Sequence, residues 1–252
     1  MPSPTVYLVT GANRGLGLGL VKILAARPDV VVFAGARNPA ATSLVELATA
    51  HPNLHPIKFT LANESDNAAA VAEIERTVGR LDVVIANAGV YTGTPSVGEL
   101  SIAVLREHLE GNTVGMTVLF QATHKLLLAS PTGAPVFAFI TSSLSSLANH
   151  LTFGASAYAA SKVACNFLIR ELDAQYPQLV AMTIYPGWSK TEMGNEHAQN
   201  MGMPEAPIEV QDSVEGILSR VDGATKEKSS GRFWAWRAAE GRYEFPTGEV
   251  PW

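Results

Sequence analysis

Short apolar runs rich in β-branched residues alternate along the chain with longer segments in which apolar positions recur at helical spacing. Most of the short runs are apolar throughout, which is typical of strands covered on both faces. They predict seven strands, at residues 5–10, 30–35, 54–61, 81–86, 136–142, 180–185 and 231–236. The helical patterns, several of them opened by Ser or Thr, lie at residues 15–26, 42–51, 65–78, 101–129, 156–175 and 210–221. This order predicts βαβ units, and therefore an α/β fold with a parallel sheet flanked by helices.

The least regular stretch of the chain runs from residue 188 to residue 207. It contains Gly194, Gly202, Pro204 and Pro207, which interrupt regular structure. Loops of this length inside compact domains are often lids or binding loops, and a solvated connection is the alternative.

The composition is that of a globular protein. With 252 residues, 47% hydrophobic content, and neither a repeat nor a linker, we expect one large domain. A net charge of -5 and the absence of a Lys/Arg run argue against nucleic acid or a membrane surface as a partner. The apolar runs are far shorter than the roughly 20 residues that span a bilayer, and the first residues lack a charged targeting segment, so we expect a soluble cytoplasmic protein. The single cysteine, Cys165, excludes an intramolecular disulfide and a cysteine-cluster metal site, and no metal is predicted.

A glycine-rich turn follows the first predicted strand, in the sequence TGANRGLG at residues 10–17, and a helical pattern begins at once. Glycines permit a tight turn, and the helix N-terminus behind them offers unpaired N–H groups to a pyrophosphate. A plain structural corner is the alternative. A turn placed between the first strand and the first helix of a βαβ array nevertheless favours a nucleotide site.

The second predicted strand ends without a carboxylate, in the sequence FAGAR at residues 33–37. An acidic residue at this place typically binds the ribose 2′-hydroxyl of NAD. Arg37, together with Arg14 of the glycine turn, is instead suited to a 2′-phosphate through charge-assisted hydrogen bonds. We therefore predict NADP(H) rather than NAD(H), with two solvated surface arginines as the alternative.

Tyr158 and Lys162 are four residues apart in a helical pattern, so their side chains share one face. A cation beside a phenol favours the phenolate and lowers the tyrosine pKa, which suits a proton donor near neutral pH. Upstream, the serine-rich run of residues 141–143 closes the fifth predicted strand.

Two asparagines complete the candidate chemistry. Asn87, in the sequence NAG at residues 87–89, follows the fourth strand, and ligands of open α/β sheets bind at that edge. Asn112 lies in a helical pattern rich in apolar residues, where a buried amide needs hydrogen-bond partners. A purely structural role is at least as favoured for Asn112 at this point.

In order and spacing, these residues resemble the short-chain dehydrogenase/reductase family over almost the whole chain. The resemblance also includes Pro186, Gly187 and Thr191, and it implies one Rossmann-type domain over residues 1–252 with a nicotinamide cofactor. The catalytic group that it implies consists of Asn112, Ser143, Tyr158 and Lys162. The register between Ser142 and Ser143 stays open.

The resemblance also implies which residues bind the cofactor. They are Gly11, Asn13, Arg14, Gly15, Leu16, Gly17, Arg37, Leu61, Asn87, Ala88, Gly89, Tyr158, Lys162, Pro186, Gly187, Ser189 and Thr191.

The implied reaction is NADPH-dependent reduction of a small-molecule carbonyl to an alcohol. Ser143 would hold the carbonyl oxygen, Tyr158 would protonate it, Lys162 would lower the tyrosine pKa and hold the ribose, and Asn112 would anchor a water that feeds protons to Lys162. Residues 188–207 would form a substrate lid. Three alternatives stay open: an NAD(H)-linked alcohol dehydrogenase, a cofactor-binding sensor or scaffold, and a non-redox catalyst on the same fold.

A closer resemblance concerns DSV at 212–214, ATKE at 224–227, SGRF at 230–233 and PW at 251–252. These segments resemble fungal ketoreductases of the norsolorinic acid type, which act on ketones of secondary metabolism. Five aromatic side chains line a substrate pocket or fill the core, namely Tyr91, Phe153, Trp188, Trp234 and Trp236. The family is often dimeric or tetrameric through its long helices, so a homodimer and a homotetramer both stay open.

Overall fold

The sheet contains every predicted strand and one more. The computed structural model describes residues 3–93, 95–151, 154–236 and 248–252. The strands within these ranges are β1 (Thr5–Thr10), β2 (Val30–Ala36), β3 (Leu54–Lys58), β4 (Val83–Ala86), β5 (Val136–Ile140), β6 (Val180–Tyr185), β7 (Phe233–Ala235) and β8 (Gly248–Glu249). They form one sheet in the order β3-β2-β1-β4-β5-β6-β7-β8. The strands β1 to β7 pair in parallel, and β8 pairs antiparallel with β7.

The helices lie between the strands, as the alternation of patterns predicts. Those described are α1 (Gly15–Ala25), α2 (Thr42–Ala50), α3 (Glu64–Val78), α4 (Ile102–His108), α5 (Gly115–Leu128), α6 (Ser156–Gln175), α7 (Glu192–Asn200), α8 (Val210–Asp222) and α9 (Lys226–Ser229). None of the helices in the described ranges is both long and apolar enough to cross a bilayer.

Two predictions about these helices are wrong. The continuous helix predicted over residues 101–129 is interrupted by a π-helical segment, Leu109–Val114, which inserts extra backbone around Asn112. The stretch predicted to be irregular contains α7, which begins where the Thr191 hydroxyl accepts a hydrogen bond from Gly194 N at 3.0 Å.

Some predicted strand ends are also too long. β3 ends at Lys58 instead of residue 61, and β5 ends at Ile140 instead of residue 142. After β5 the chain turns at once into a short 3₁₀ segment, Ser143–Ser145, which Ser142 caps. The chain therefore leaves the sheet earlier than the apolar pattern indicates. The residues that follow β3 and β5 lie at the carboxyl edge of the sheet.

The core consists of two apolar layers, one on each face of the sheet. Along β1, Tyr7 and Val9 pack with α1, α2 and α8, whereas Val6 and Leu8 pack with α3, α5 and α6. This alternation is the two-residue period of a strand buried on both faces. The fold is therefore the predicted single-domain, doubly wound Rossmann-type sheet.

The strand order reverses between β1 and β4. From β1 the chain proceeds outward to β3, and it then returns to the other side of β1 at β4. Helices leave the two strands toward opposite faces, so a crevice opens at their carboxyl ends.

The C-terminal end of α6 is closed by a lysine from outside the helix. Lys226 Nζ donates to the carbonyl oxygens of Asp173 at 3.1 Å and Leu179 at 2.9 Å, and to the Asp173 carboxylate at 2.6 Å. An ammonium group at a helix C-terminus satisfies carbonyls that lack an intrahelical partner and opposes the helix dipole. Since α6 carries Tyr158 and Lys162, this contact fixes the far end of the helix that holds them.

We expect Lys226→Met to lower the free energy of unfolding by about 1.5–3 kcal/mol, because charge-assisted hydrogen bonds are lost and Asp173 loses its ion pair. Urea denaturation followed by tryptophan fluorescence measures the change. Lys228→Met, on the exposed side of α9, is the matched control and should change stability by less than about 0.5 kcal/mol. Equal effects of the two substitutions would contradict this assignment.

Candidate active site

A cleft of about 910 Å³ opens at the carboxyl edge of the sheet. It brings together nearly all of the residues that the sequence singles out. Those lining it are Gly11, Asn13, Arg14, Gly15, Leu16, Arg37, Leu61, Asn87, Ala88, Gly89, Ser143, Tyr158, Lys162, Pro186, Gly187, Ser189 and Thr191. Gly17 and Asn112 lie behind this lining and contact residues that form it.

The glycine turn has a backbone that side chains would not fit. Gly11 and Gly15 have φ values of +69° and +54°, in the left-handed region. A Cβ atom on Gly17 would lie 2.1 Å from the Gly11 carbonyl oxygen, so α1 starts in close contact with the turn. The turn and the start of α1 thus form a cradle of backbone groups, which fits a pyrophosphate.

Thr10, the first residue of the glycine motif, joins the glycine turn to the segment after β4. Its hydroxyl accepts hydrogen bonds from Asn87 N and Ala88 N, both at 3.1 Å. The Asn87 amide returns a bond from Nδ2 to the Thr10 carbonyl at 2.8 Å. Asn87 therefore connects the end of β1 to the segment after β4, and it also lines the cleft.

Two cations stand at the end of the cleft beside the glycine turn. Arg37 follows β2 and is exposed, and the described residues provide it with no ion-pair partner. Arg14 forms an ion pair with Glu192 at the start of α7, and both side chains are largely exposed. The glycine turn is thereby linked to the wall formed by residues 188–207, by a contact that solvent screens.

Tyr158 and Lys162 lie on the inner face of α6. Lys162 Nζ is 5.7 Å from the centroid of the Tyr158 ring and 4.4 Å from that of Phe139. It donates a hydrogen bond to the carbonyl oxygen of Ile140, the last residue of β5, at 2.9 Å. The predicted proximity of the pair is confirmed, and the ammonium also anchors the end of a strand.

The predicted direction of the tyrosine pKa is wrong. Burial raises the pKa of the Tyr158 phenol above its usual value, with a smaller contribution from Tyr91. Burial also lowers the pKa of Lys162 to about 8. Loss of hydration outweighs the attraction of a neighbouring ammonium that is itself poorly hydrated. The phenol is therefore protonated at neutral pH, and burial alone makes it a weaker acid than a free tyrosine.

The Asn112 side chain uses its hydrogen-bonding groups within the protein. Its Oδ1 accepts from Val90 N at 2.8 Å, and its Nδ2 donates to Val90 O at 3.0 Å and to Ser161 Oγ at 2.9 Å. The amide thus ties the segment after Gly89 to α6, next to Lys162. This geometry gives the Asn112 side chain a positioning role.

Ser142 and Ser143 both line the cleft, but their hydroxyl groups differ. The Ser142 hydroxyl accepts a hydrogen bond from Leu144 N at 3.2 Å and so caps the 3₁₀ segment. Within the described part of the chain, the Ser143 hydroxyl has no such partner. Ser142 therefore has a local capping role, whereas the Ser143 hydroxyl has none among the described residues.

An aromatic wall extends from Tyr158 to α7. The Tyr91 ring lies edge-on to Tyr158 with centroids 5.5 Å apart, and its hydroxyl is 2.8 Å from His197 Nδ1. Trp188 lies with its ring centroid 5.1 Å from that of His197. Burial lowers the pKa of His197, so this imidazole is neutral at pH 7. Sequence reasoning misses His197 because no recognisable spacing links α7 to the other site residues.

Two further aromatic candidates, Trp234 and Trp236, do not line the cleft. Trp234 and Trp236 are partly buried and pack against the core, with Trp236 covering Gly187 and Gly216. Phe153 lies outside the described residues. His150 is exposed and does not line the cleft.

Comparison with known proteins agrees with this architecture. Residues 5–202 match the family described as short chain dehydrogenase. The chain is 39% identical over 237 residues to the norsolorinic acid ketoreductase of Dothistroma septosporum, covering 91% of this chain and 88% of that protein. It is 38% identical over 240 residues to the norsolorinic acid ketoreductase of Aspergillus parasiticus, covering 92% and 88%.

Two solved structures extend the comparison. The carbonyl reductase Sniffer of D. melanogaster superposes over 100% of both chains with a TM-score of 0.85 and 29% identity. The NADPH-bound carbonyl reductase from chicken fatty liver superposes with a TM-score of 0.82 and 28% identity, covering 93% of this chain and 97% of that one.

The doubly wound sheet, the glycine cradle and these matches define an oxidoreductase that acts on carbonyl or hydroxyl groups with a nicotinamide cofactor. The chain belongs to the short chain dehydrogenase family. The family resemblance that the sequence motifs indicate is thereby confirmed.

The buried Lys162 leads to a prediction about stability and pH. Its pKa is about 8 in the folded protein against an ordinary value of 10.5, so between these values the unfolded chain binds more protons. The contribution of Lys162 to stability therefore rises with pH across this window. Relative to a Lys162→Met variant, the wild type should gain on the order of 3 kcal/mol between pH 7 and pH 10.5.

Urea denaturation at several pH values measures this difference. Taking the difference between the two proteins cancels other titrating groups, including Tyr158, which both retain. If the free energies of unfolding of the two proteins differ by the same amount at every pH from 7 to 10.5, the fold does not lower the pKa of Lys162.

Proposed function

We propose that this protein reduces a ketone to an alcohol with NADPH. The observation that carries the proposal is the placement of Tyr158 and Lys162, with Nζ 5.7 Å from the phenol ring centroid, in the same cleft as the glycine cradle. Proton delivery and cofactor binding thus share one cavity.

The residues present fit NADPH. The backbone cradle of Gly11, Gly15 and the start of α1 suits the pyrophosphate, and Arg37 with Arg14 suits the 2′-phosphate. Gly89 keeps the space beside Lys162 open, since a Cβ atom there would lie 3.4 Å from Nζ. The carbonyl reductase of chicken fatty liver was solved with NADPH bound, which supports the same cofactor here.

The glycine cradle and Arg37 would hold NADPH in this cleft, and the chemistry that it would supply there is hydride donation to a carbonyl carbon. The Ser143 hydroxyl donates a hydrogen bond to the carbonyl oxygen and orients it. The Tyr158 phenol, which is protonated at neutral pH, donates its proton to that oxygen as negative charge develops there. Lys162, whose pKa is about 8, lies close enough to favour the tyrosinate that remains.

The shape of the cleft supports a flat, aromatic ketone as substrate. The Tyr91 ring lies next to Tyr158, the His197 ring next to Tyr91, and the Trp188 ring next to His197. Residues 188–207 supply two of these rings and serve as the lid over the substrate. The relatives named norsolorinic acid ketoreductase act, by their names, on a ketone, and we assign the chain to the same class of reaction in secondary metabolism.

Replacing Tyr158 by Phe removes only the hydroxyl group. We expect kcat for ketone reduction to fall by about 10²–10⁴-fold, the usual contribution of a general acid. Thermal stabilisation by NADPH should be retained, because the cofactor cradle is untouched. Tyr176→Phe, at the opposite end of α6, is the control and should keep full activity. Undiminished ketone reduction by Tyr158→Phe would exclude this mechanism.

Replacing Arg37 by Ala tests the cofactor. Loss of a charge-assisted hydrogen bond to a 2′-phosphate should raise KM for NADPH by about 10-fold or more, while KM for NADH changes little. Arg76→Ala, exposed on α3, is the control. Equal changes for both cofactors would remove Arg37 from the phosphate site, and a wild-type preference for NADH would favour the NAD(H)-linked alcohol dehydrogenase.

A further inference from the structure

We propose that the segment of residues 248–252 positions the loop of residues 143–149, which carries Ser143, and that Trp252 is the key positioning residue. The proposal rests on the proposed function only for the role of Ser143. Its structural part depends on contacts alone.

The loop is held from the inside by α6. Asn166, one turn beyond Lys162 on α6, donates from Nδ2 to the Ser145 hydroxyl at 2.9 Å and accepts from Thr141 Oγ1 at 2.9 Å. The hydroxyls of Thr141 and Ser145 are themselves 2.9 Å apart. This buried network fixes the loop at Ser145, and it leaves the residues that follow to be held by something else.

The 248–252 segment holds the loop from the outside. Ser146 Oγ donates to the Pro251 carbonyl at 2.6 Å, and Ala148 N donates to the Trp252 carbonyl at 2.8 Å. The Ser146 hydroxyl also accepts from Asn149 N at 3.1 Å and is 2% exposed as a residue. Ser146 thus joins the loop both to itself and to the segment, three residues from Ser143.

Trp252 docks this segment on the rest of the fold. Its ring lies 5.7 Å from that of Phe233 on β7, and the Arg170 guanidinium of α6 lies 5.6 Å from its centroid. Val250 is buried, and its N–H donates to the Phe233 carbonyl at 2.6 Å. The loop is thereby braced between α6, which carries Tyr158, and β7.

This bracing bears on catalysis because Ser143 and Tyr158 must reach one carbonyl oxygen. A displacement of about 1 Å in a reacting group can lower a rate by about 10²-fold. Loss of the outer anchor frees Ser146, whose N–H donates to the Ser143 carbonyl at 3.3 Å, so the Ser143 hydroxyl samples more positions. Cofactor binding, at the glycine cradle and Arg37, involves none of these contacts.

The test compares Trp252→Ala with Trp252→Phe, which keeps a ring against Phe233. We expect Trp252→Ala to lower kcat for ketone reduction by about 10-fold or more, with NADPH affinity changed by less than about 2-fold. Trp252→Phe should recover kcat to within about 3-fold of the wild type. The matched control is Trp234→Ala, which also removes a tryptophan side chain. Trp234 lies on β7 and contacts Arg220, so its loss should leave kcat within about 2-fold.

Hydrogen exchange at the amides of residues 144–149 provides a readout that needs no turnover. Exchange there should be faster in Trp252→Ala and close to wild type in Trp252→Phe. Should Trp252→Ala fail to fold, Ser146→Ala removes the hydroxyl contacts with Pro251 O and Asn149 N and should show the same direction of change in both kcat and exchange.

The outcomes separate the two proposals. A wild-type enzyme that reduces no ketone contradicts the proposed function, whereas unchanged loop exchange in both Trp252→Ala and Ser146→Ala overturns the positioning role. Faster exchange with unchanged kcat also overturns it, since the loop would then be loosened without consequence for the reaction.

Discussion

The architecture of the cleft depends on how β1 and β4 are joined where they end. The chain leaves these neighbouring strands toward opposite faces of the sheet, which exposes backbone N–H groups just where the crevice opens. The Thr10 hydroxyl accepts from two of these N–H groups, those of Asn87 and Ala88, at 3.1 Å, and the Asn87 amide satisfies the Thr10 carbonyl at 2.8 Å. Without them, the crevice would contain unpaired polar groups in a water-poor site, at a cost in stability for each. The glycine cradle and the wall after Gly89 both take their positions from this junction.

Much of the fold could be predicted because strands that are buried on both faces have apolar residues at successive positions of the sequence. The parts that could not be predicted depend on contacts distant in sequence. Glycines and prolines in and near α7 obscure its helical pattern in the sequence. Lys190, just before the helix, forms ion pairs with Glu205 and Glu209, which follow it. The two-residue strand β8 has no pattern of its own and exists through pairing with β7. The π-helical segment at Asn112 adds a residue without changing the apolar character of the helix.

The candidate site shows the same division. The i, i+4 spacing predicts that Tyr158 and Lys162 are neighbours, because helical geometry alone determines that. Their pKa values could not be predicted, because desolvation depends on what covers them, and here burial outweighs their mutual attraction. His197 joins the wall only through the tertiary placement of α7. The sequence therefore predicts which side chains are neighbours on a helix. It does not predict how strongly they are shielded from water, because that depends on the folded chain.

Both margins of the sheet are short and irregular, and this has a consequence outside the cleft. At one margin β3 contains Pro56, which cannot donate a ladder hydrogen bond, and at the other the described part of β8 is Gly248–Glu249. Long, flat strands at such margins recruit strands from other molecules, and prolines, charges and brevity prevent this. A sheet of apolar strands is thereby protected from edge-to-edge aggregation while the chain is concentrated or newly synthesised.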